Sequence, residues 1–252
     1  MKDPTDGSSV LMQAGYLPDT SEYTTTIRHF PGTNAHLPWG THGRFSFEVE
    51  VFENGVKIGS DRTPECDESG SLEMDIGALA ERCGRPVNGM YVVKYRHAKE
   101  IPVEVYAFHV HKASGTYVSC NIIPFIGDQL YPTVHTDQME NTLFWPGLIP
   151  ETDSESHLVV VNPYDENMGF QVHAMGAAGV LARTAVLHIK PFRAATFPLP
   201  ELFFECEAEI RAAKGKVSFC VSSQYKLIAY MMFKSRGQVM SMMDHLHNFC
   251  LA

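Results

Sequence analysis

Two histidine pairs have the spacing that a metal site on a β-strand would use. His109-Val-His111 lies in an apolar run, so alternation along a strand would place both imidazoles on one face. His245-Leu-His247 repeats the spacing beside Asp244. A cupin-type site also needs a carboxylate soon after the first pair, and none follows within the next four residues. We expect partly exposed histidines at strand ends, without a metal. The alternative is a metal-dependent enzyme that adds a distant carboxylate to His109 and His111.

No other catalytic pattern is visible in the sequence. It has no Gly-x-Ser-x-Gly elbow, no Gly-rich phosphate loop before a helix, no His-Glu-x-x-His and no Cys–His nucleophile signature. Glu48 and Glu50 alternate with apolar residues, which is typical of a solvated strand face rather than of an acid–base pair. The sequence therefore favours a binding or interaction module without a cofactor over an enzyme.

Both tryptophans stand beside proline and glycine, in segments typical of loops. These loops span residues 33–42 and 141–148, and an aromatic ring held there can form a platform for a ligand or a protein partner. The alternative is a ring that folds back onto its own domain. The candidate binding residues on the two loops are Trp39, His36, His42 and Trp145.

Short strand-like runs separated by turn residues dominate the chain. Phe45 to Phe52 alternates apolar and polar side chains, which predicts a half-buried strand, and Asn54-Gly55 predicts the hairpin turn after it. Helical signals are confined to Ile76 to Cys83 and Leu199 to Ala213. The fold class predicted is therefore all-β. Further strand-like runs are Met90 to Tyr95, Val103 to Val110, Leu158 to Val161, Val217 to Val221 and Leu227 to Phe233.

A weak internal repeat divides the chain into two copies. The offset falls only from 132 to 122 residues along the chain, and an extra loop at residues 30–43 of the first copy explains the drift. We predict two tandem antiparallel β-sandwich domains related by duplication, at residues 1–124 and 147–252, with a linker or crossover at residues 125–146. The matched positions are Gly15 with Gly147, Phe47 with Phe170, Val49 with Val172, Met74-x-Ile76-x-x-Leu79 with Phe197-x-Leu199-x-x-Leu202, and Ala107 with Ala229.

Several short motifs of the second copy occur together in one known family. They are a Gly-x-Ile-Pro turn, a Ser-His pair before a strand that ends in Asn, and an Arg before a Phe-x-x-x-x-Leu segment, at Gly147, Ile149, Pro150, Ser156, His157, Asn162, Arg193, Phe197 and Leu202. With these positions the second copy resembles the sensory rhodopsin transducer proteins, a family of small β-sandwiches. The resemblance implies a sandwich that self-associates and binds a partner or a small ligand without catalysis, and it adds His157 and Arg193 to the candidate binding residues. Where the family has a polar Gln-His-Thr-Arg stretch, this chain has the apolar run Ala229 to Phe233.

Charge and composition exclude several partner classes. The net charge of −9 is spread along the chain without a basic stripe, so nucleic acid is not expected as a partner. No apolar run reaches the roughly eighteen residues of a membrane span, so no membrane insertion is expected. Asp3, Pro4 and Asp6 stand where a signal peptide would be apolar, which predicts a cytoplasmic protein.

The remaining predictions concern thiols and assembly. None of the six cysteines forms a Cys-x-x-Cys pair, so we expect reduced, structural thiols. The apolar run Tyr230 to Phe233 predicts a face that is buried between domains or offered to another subunit, and hence a homo-oligomer.

Overall fold

The computed structural model of this chain shows two compact units, residues 1–133 and residues 134–252. Each unit is built almost entirely from strands within its described ranges. The all-β fold class predicted from the sequence is therefore confirmed. The structure describes residues 12–29, 45–65, 71–97, 105–126, 141–145, 155–176, 178–203, 205, 208, 212, 217–235 and 239–245.

Unit 1 contains two antiparallel sheets. Its elements are β1 (Met12–Leu17), β2 (Tyr23–His29), β3 (Phe45–Glu53), β4 (Val56–Arg62), β5 (Leu72–Asp75), α1 (Ile76–Glu81), β6 (Gly89–His97), β7 (Val105–His111), β8 (Tyr117–Asn121) and β9 (Ile123–Ile126). Sheet 1A has the strand order β4-β3-β6-β1-β9, and sheet 1B has the order β5-β2-β7-β8.

Unit 2 also contains two antiparallel sheets. Its elements are β10 (Asn141–Trp145), β11 (Glu155–Asn162), β12 (Met168–Gly176), β13 (Gly179–Arg183), β14 (Leu187–Ile189), β15 (Arg193–Pro198), α2 (Leu199–Leu202), β16 (Ser218–Ser223), β17 (Ile228–Lys234) and β18 (Met240–His245). Sheet 2A has the order β10-β16-β12-β13, with β14 also paired to β12, and sheet 2B has the order β15-β11-β17-β18. The ring centroids of Phe170 in sheet 2A and Phe197 in sheet 2B lie 5.6 Å apart, so these two sheets pack face to face.

Alternation explains why β3 forms a strand with one buried face. Phe47, Val49 and Val51 are fully buried, whereas Glu48 and Glu50 point to the other face. The turn that follows uses Asn54 and Gly55, whose φ angles of 51° and 85° are both left-handed. Those angles match the two-residue turn that suits the twist of a hairpin, as the Asn-Gly pair predicts.

Strand β11 has a different pattern, because both of its faces are buried. Leu158, Val159, Val160 and Val161 form a continuous apolar run, and each is at most 1% exposed. Leu158 pairs with Phe197 and therefore faces sheet 2A, while Val159 and Val161 point outward from the sandwich. A run without alternation is what a strand covered on both faces requires.

The two helices are short and begin at the predicted positions. α1 ends at Glu81 rather than Cys83, and the Asp75 side chain caps it by accepting a hydrogen bond from the Gly77 N–H. Gly84, at φ 68°, donates its N–H to the Glu81 carbonyl and ends the helix. α2 covers Leu199–Leu202 of the predicted helical range; farther along that range Ala208 and Ala212 are also helical, and residues 204, 206–207, 209–211 and 213 lie outside the described residues.

The two units have the same strand order. In sheet 1A the order β4-β3-β6-β1 corresponds to β13-β12-β16-β10 in sheet 2A, and β5-β2-β7-β8 in sheet 1B corresponds to β15-β11-β17-β18 in sheet 2B. β9 in unit 1 and β14 in unit 2 have no counterpart within the described residues. This agreement is the result that a duplication predicts, and descent from one ancestral domain stays a prediction.

The strand registers do not agree with every residue match in the repeat. Ile27 pairs with both Met74 and Ala107 in sheet 1B. In sheet 2B the proposed equivalents are offset, because Phe197 pairs with Leu158 but Ala229 pairs with Val160. Both unit 1 residues thus pair with one residue, whereas their proposed equivalents pair with residues two positions apart on β11. The match of Met74 with Phe197 and the match of Ala107 with Ala229 therefore cannot both hold.

The boundary between the units falls within the predicted linker. The division lies between Thr133 and Val134. However, β10 (Asn141–Trp145), which the sequence placed in the linker at residues 125–146, is the edge strand of sheet 2A and pairs with β16. Its apolar end, Leu143 to Trp145, is too short to show a strand period, and the polar residues before it hide the strand.

Candidate functional site

His109 lies in the core of unit 1, on the buried face of sheet 1B. The prediction that it is partly exposed was therefore wrong, because its side chain is on the inward face of β7. Its Nδ1 is 3.0 Å from the Thr25 hydroxyl, which belongs to the directly paired residue on β2. Its Nε2 is 3.8 Å from the Cys120 thiol on β8. Thr25 and His109 are fully buried, and Cys120 is 4% exposed. The three side chains form one polar cluster in an otherwise apolar layer.

The His109 side chain in this cluster is uncharged near neutral pH. Burial lowers the pKa of His109 from 6.5 to about 4, so the imidazole is uncharged near neutral pH. One ring nitrogen can donate and the other can accept, and the Thr25 hydroxyl and the Cys120 thiol satisfy either tautomer. A buried thiol beside an uncharged imidazole does not have the exposed, electropositive setting that is typical of a catalytic cysteine.

His111 lies on the same face of β7 as His109 but in a different environment. Its ring centroid is 5.2 Å from that of Tyr23, and its Nδ1 is 2.8 Å from the Ser114 hydroxyl. Across the described ranges, no group of three His, Cys, Asp or Glu side chains could hold a metal ion. The structure therefore brings no third ligand to His109 and His111. Of the second histidine pair, His245 ends β18 and His247 lies outside the described residues.

The loop predictions for the tryptophans have different outcomes. Trp39, His36 and His42 lie outside the described residues. Trp145 is the last residue of β10, and its backbone pairs with Phe219 of β16. The prediction that Trp145 stands in a loop was therefore wrong, because residues 141–145 complete the edge of sheet 2A.

His157 and Arg193 are not brought together. His157 is 5% exposed on the outward face of β11, where its Cα neighbours are Pro198 and Met232. Arg193 is half-buried and pairs with Asn162, at the far end of the same strand. Five residues of strand separate the two positions, which is about 17 Å. They do not form a common binding site.

Asn162, another residue of the family resemblance, has a structural role. Its Nδ2 lies 2.8, 2.9 and 3.1 Å from the carbonyl oxygens of Glu166, Ile189 and Lys190, and its Oδ1 accepts from the Tyr164 N–H at 3.0 Å. The side chain is fully buried. It replaces backbone pairing where the chain leaves β11, so it holds the turn in place rather than a ligand.

A cleft in unit 1 was not predicted from the sequence. It has a volume of about 320 Å³ and opens between the β1–β2 turn, helix α1 and the residue that follows β7. We call it the Thr20 cleft. No sequence motif marks it, because its charged residues come from segments far apart in the chain. It is lined by Thr20, Ser21, Thr24, Asp75, Gly77, Glu81, Gly84, Arg85, Pro86 and Lys112.

Edge strand β13 of unit 2 exposes apolar side chains. Val180 is 53%, Leu181 40% and Val186, just beyond the strand, 43% exposed. Among the described residues only five large hydrophobic side chains are exposed, and these three lie within one stretch of seven residues. The strand pairs with β12 on one side, and among the described strands none pairs with its other edge.

The corresponding edge strand of unit 1, β4, is covered with charge. Lys57 pairs with Glu50 at 2.5 Å, and Arg62 pairs with Glu48 at 3.3 Å. Asp61 receives a hydrogen bond from Arg82, and that bond lowers the pKa of the Asp61 carboxyl. Charges of this kind prevent another strand from adding to a sheet edge.

No family model and no curated protein matches the sequence of this chain. The resemblance to the sensory rhodopsin transducer proteins therefore stays a prediction. In the part of the chain that the structure describes, no helix has the length and apolarity needed to cross a membrane. Cys83, Cys120 and Cys220 form no disulfide bond among the described residues, while Cys66, Cys206 and Cys250 lie outside those residues.

Proposed function

We propose that this chain is a non-enzymatic, cytoplasmic interaction module that self-associates through the edge of sheet 2A at β13. The observation that carries the proposal is the exposure of Val180 and Leu181 on edge strand β13 and of Val186 just beyond it. Soluble proteins normally protect such an edge with charge, a bulge or a covering segment. The protection on β13 is a register shift at Leu181 and the charge of Arg183, and it leaves these apolar side chains exposed. The family resemblance, which implies a self-associating sandwich, supports the same proposal.

The partner that fits this edge is a second copy of β13. Two identical edge strands related by a two-fold axis pair antiparallel, and each contributes the same apolar residues to the contact. The pairing of β13 with β12 shifts register at Leu181, which has no partner residue on β12, and the Leu181 side chain lies against Gly176. Pairing with a second β13 would bury Val180 and the exposed part of Leu181.

The run Tyr230 to Phe233 is not available for this contact. Tyr230, Met231 and Met232 are at most 2% exposed, and β17 lies between β11 and β18 in the middle of sheet 2B. The residues that predicted a homo-oligomer from the sequence are therefore covered within the chain. The proposed assembly depends on β13 instead.

Light scattering coupled to size exclusion tests self-association. We expect a dimer that forms between about 10 and 500 µM, because two paired edge strands bury less surface than a permanent interface. Leu181→Lys places a charge at the centre of the contact and should shift the protein to a monomer over the same range. The circular dichroism spectrum should be unchanged, because Leu181 is already exposed.

Val56→Lys is the matched control. Val56 is 64% exposed beside the turn that leads into β4, the corresponding edge of unit 1. This variant should assemble as the unmodified chain does. A monomeric unmodified chain at the highest concentration, or a Leu181→Lys variant that still dimerises, would refute the proposal.

A further inference from the structure

Tyr95 carries a buried hydroxyl group that needs a hydrogen-bond partner. The residue is fully buried, and its ring packs against that of Phe47 with the two centroids 5.6 Å apart. Among the residues that the structure describes, no group forms a hydrogen bond with the Tyr95 hydroxyl. Burial raises the pKa of this phenol well above its usual range, so the hydroxyl stays protonated. Native interiors satisfy nearly all such groups with protein atoms or with ordered water.

The Tyr95 side chain lies on the face of sheet 1A that is turned toward the interior of unit 1. Tyr95 pairs with Phe47 and therefore shares its face of the sheet. The opposite face carries Glu50, whose carboxylate pairs with Lys57 at 2.5 Å and with Lys94 at 2.6 Å. Because charged side chains stay in contact with water, their face is the outer one. The Tyr95 ring therefore lies in the layer between the two sheets.

Two more polar side chains are buried at the inward faces of these sheets. Gln13 of β1 pairs with Val93, so it is the diagonal neighbour of Tyr95 on the same face of sheet 1A. It is only 3% exposed. His29, the last residue of β2, is 1% exposed on the inward face of sheet 1B. An amide and an imidazole thus accompany the phenol in the interior of unit 1.

The chain joins one end of sheet 1B to one end of sheet 1A at Ile122. The Ile122 N–H donates to the carbonyl of Val105, which is the residue that pairs with His29 in sheet 1B. Two residues later, Pro124 pairs with Gln13 in sheet 1A. His29 and Gln13 therefore stand at the same end of the sandwich.

Unit 2 satisfies the hydroxyl at the corresponding position within its own chain. Ser223 takes the place of Tyr95, because each pairs with the phenylalanine that the repeat matches on the neighbouring strand. The Ser223 hydroxyl donates to the Gly169 carbonyl at 2.5 Å and accepts from the Tyr225 N–H at 3.1 Å. A serine hydroxyl stays close to its strand, whereas the Tyr95 ring carries its hydroxyl into the layer between the sheets.

The ligand that suits the Tyr95 hydroxyl is small and uncharged. Burial lowers the pKa of His29 to about 4, which leaves its imidazole uncharged near neutral pH. Tyr95, Gln13 and His29 therefore carry no charge that would attract an ion. Side chains that are at most 3% exposed belong to a packed interior, where the space between neighbours is small. A water molecule fits such a layer and makes about three hydrogen bonds to polar groups.

We infer that unit 1 binds an ordered water molecule between its two sheets, with the Tyr95 hydroxyl as one of its hydrogen-bond partners. Gln13 and His29, buried at the inward faces of the same sheets, bring an amide and an imidazole to the same layer. The inference is independent of self-association, because β13 lies in unit 2 and Tyr95 in unit 1.

Oxygen-17 magnetic relaxation dispersion of the full chain tests this inference, because it counts long-lived internal water molecules without a contribution from exchanging protons. We expect Tyr95→Phe to lower the count by about one relative to the unmodified chain. The same variant should lower the folded-to-unfolded ratio by about fivefold, since one hydrogen bond is lost. A high-resolution crystal structure should place a water oxygen within about 3 Å of the Tyr95 hydroxyl.

Tyr164→Phe is the matched control, because the Tyr164 hydroxyl donates directly to the Lys226 carbonyl at 2.9 Å. This variant should also lose stability, but its count of internal water molecules should equal that of the unmodified chain. An unchanged count in Tyr95→Phe, or an equal fall in both variants, would refute the inference. A gain of stability in Tyr95→Phe would refute it as well, because removal of an unsatisfied hydroxyl stabilises a fold.

Discussion

Sheets 1B and 2B have the same strand order but opposite surroundings on their outward faces. On β2 of sheet 1B the outward residues Thr24, Thr26 and Arg28 are only half-buried. On β11 of sheet 2B the outward residues Val159 and Val161 are fully buried. Two sheets with the same strand order can therefore have either an exposed or a buried outward face. The polar side chains of β2 and the apolar side chains of β11 match this difference.

The largest expected effect comes from a charge on each outward face. Val159→Lys would bury an ammonium among apolar side chains, and we expect it to lower the free energy of unfolding of unit 2 by at least about 4 kcal/mol. Thr26→Lys, beside Asp75 on the neighbouring strand, should change stability by less than about 0.5 kcal/mol. Urea unfolding of both variants checks the comparison, and equal losses would contradict it.

A smaller effect is expected at the ends of β2 and β11. Asn162→Leu leaves three carbonyls and one N–H of unit 2 without their side-chain partner, and it should cost about 3 kcal/mol. Arg28, near the end of β2, forms an exposed ion pair with Glu73, and Arg28→Leu should cost at most about 1 kcal/mol. Thermal unfolding measures both, and a larger loss for Arg28→Leu would reverse the ranking.

Acid should destabilise unit 1 through its buried histidines. Burial lowers the pKa of both His29 and His109 to about 4, whereas the unfolded chain takes up these protons near pH 6.5. The unfolded state therefore binds more protons between these values, and stability falls as the pH falls through that window. We expect a loss of about 2 kcal/mol for each histidine between pH 7 and pH 5.

Replacement of one histidine tests this pH dependence. His109→Gln lowers stability at pH 7, since the amide does not reproduce the imidazole contacts, but it removes one of the two groups that titrate. Chemical denaturation at several pH values should therefore show a shallower dependence on pH than in the unmodified chain. A slope identical to that of the unmodified chain would show that His109 does not contribute.

Local patterns predicted the strands better than they predicted the surroundings of those strands. The alternation in β3 and the Asn54-Gly55 turn were visible in the sequence because both depend on near neighbours. The Thr20 cleft was not visible, since Thr20, Asp75 and Lys112 come together only when β2 lies between β5 and β7. The strand that contains Trp145 was not visible either, because its apolar part is only three residues long and Pro146-Gly147, typical of a loop, follow at once.

The three-residue cluster around His109 also affects how the protein reacts with alkylating reagents. The Cys120 thiol lies in the layer between β2, β7 and β8, so a reagent reaches it only when sheet 1B separates. Its modification rate therefore measures the frequency of local opening in unit 1. Cys220, buried at 7% exposure in sheet 2A, gives the same information for unit 2. The chain thus carries an internal kinetic probe in each half, and the two rates can be compared in a single molecule.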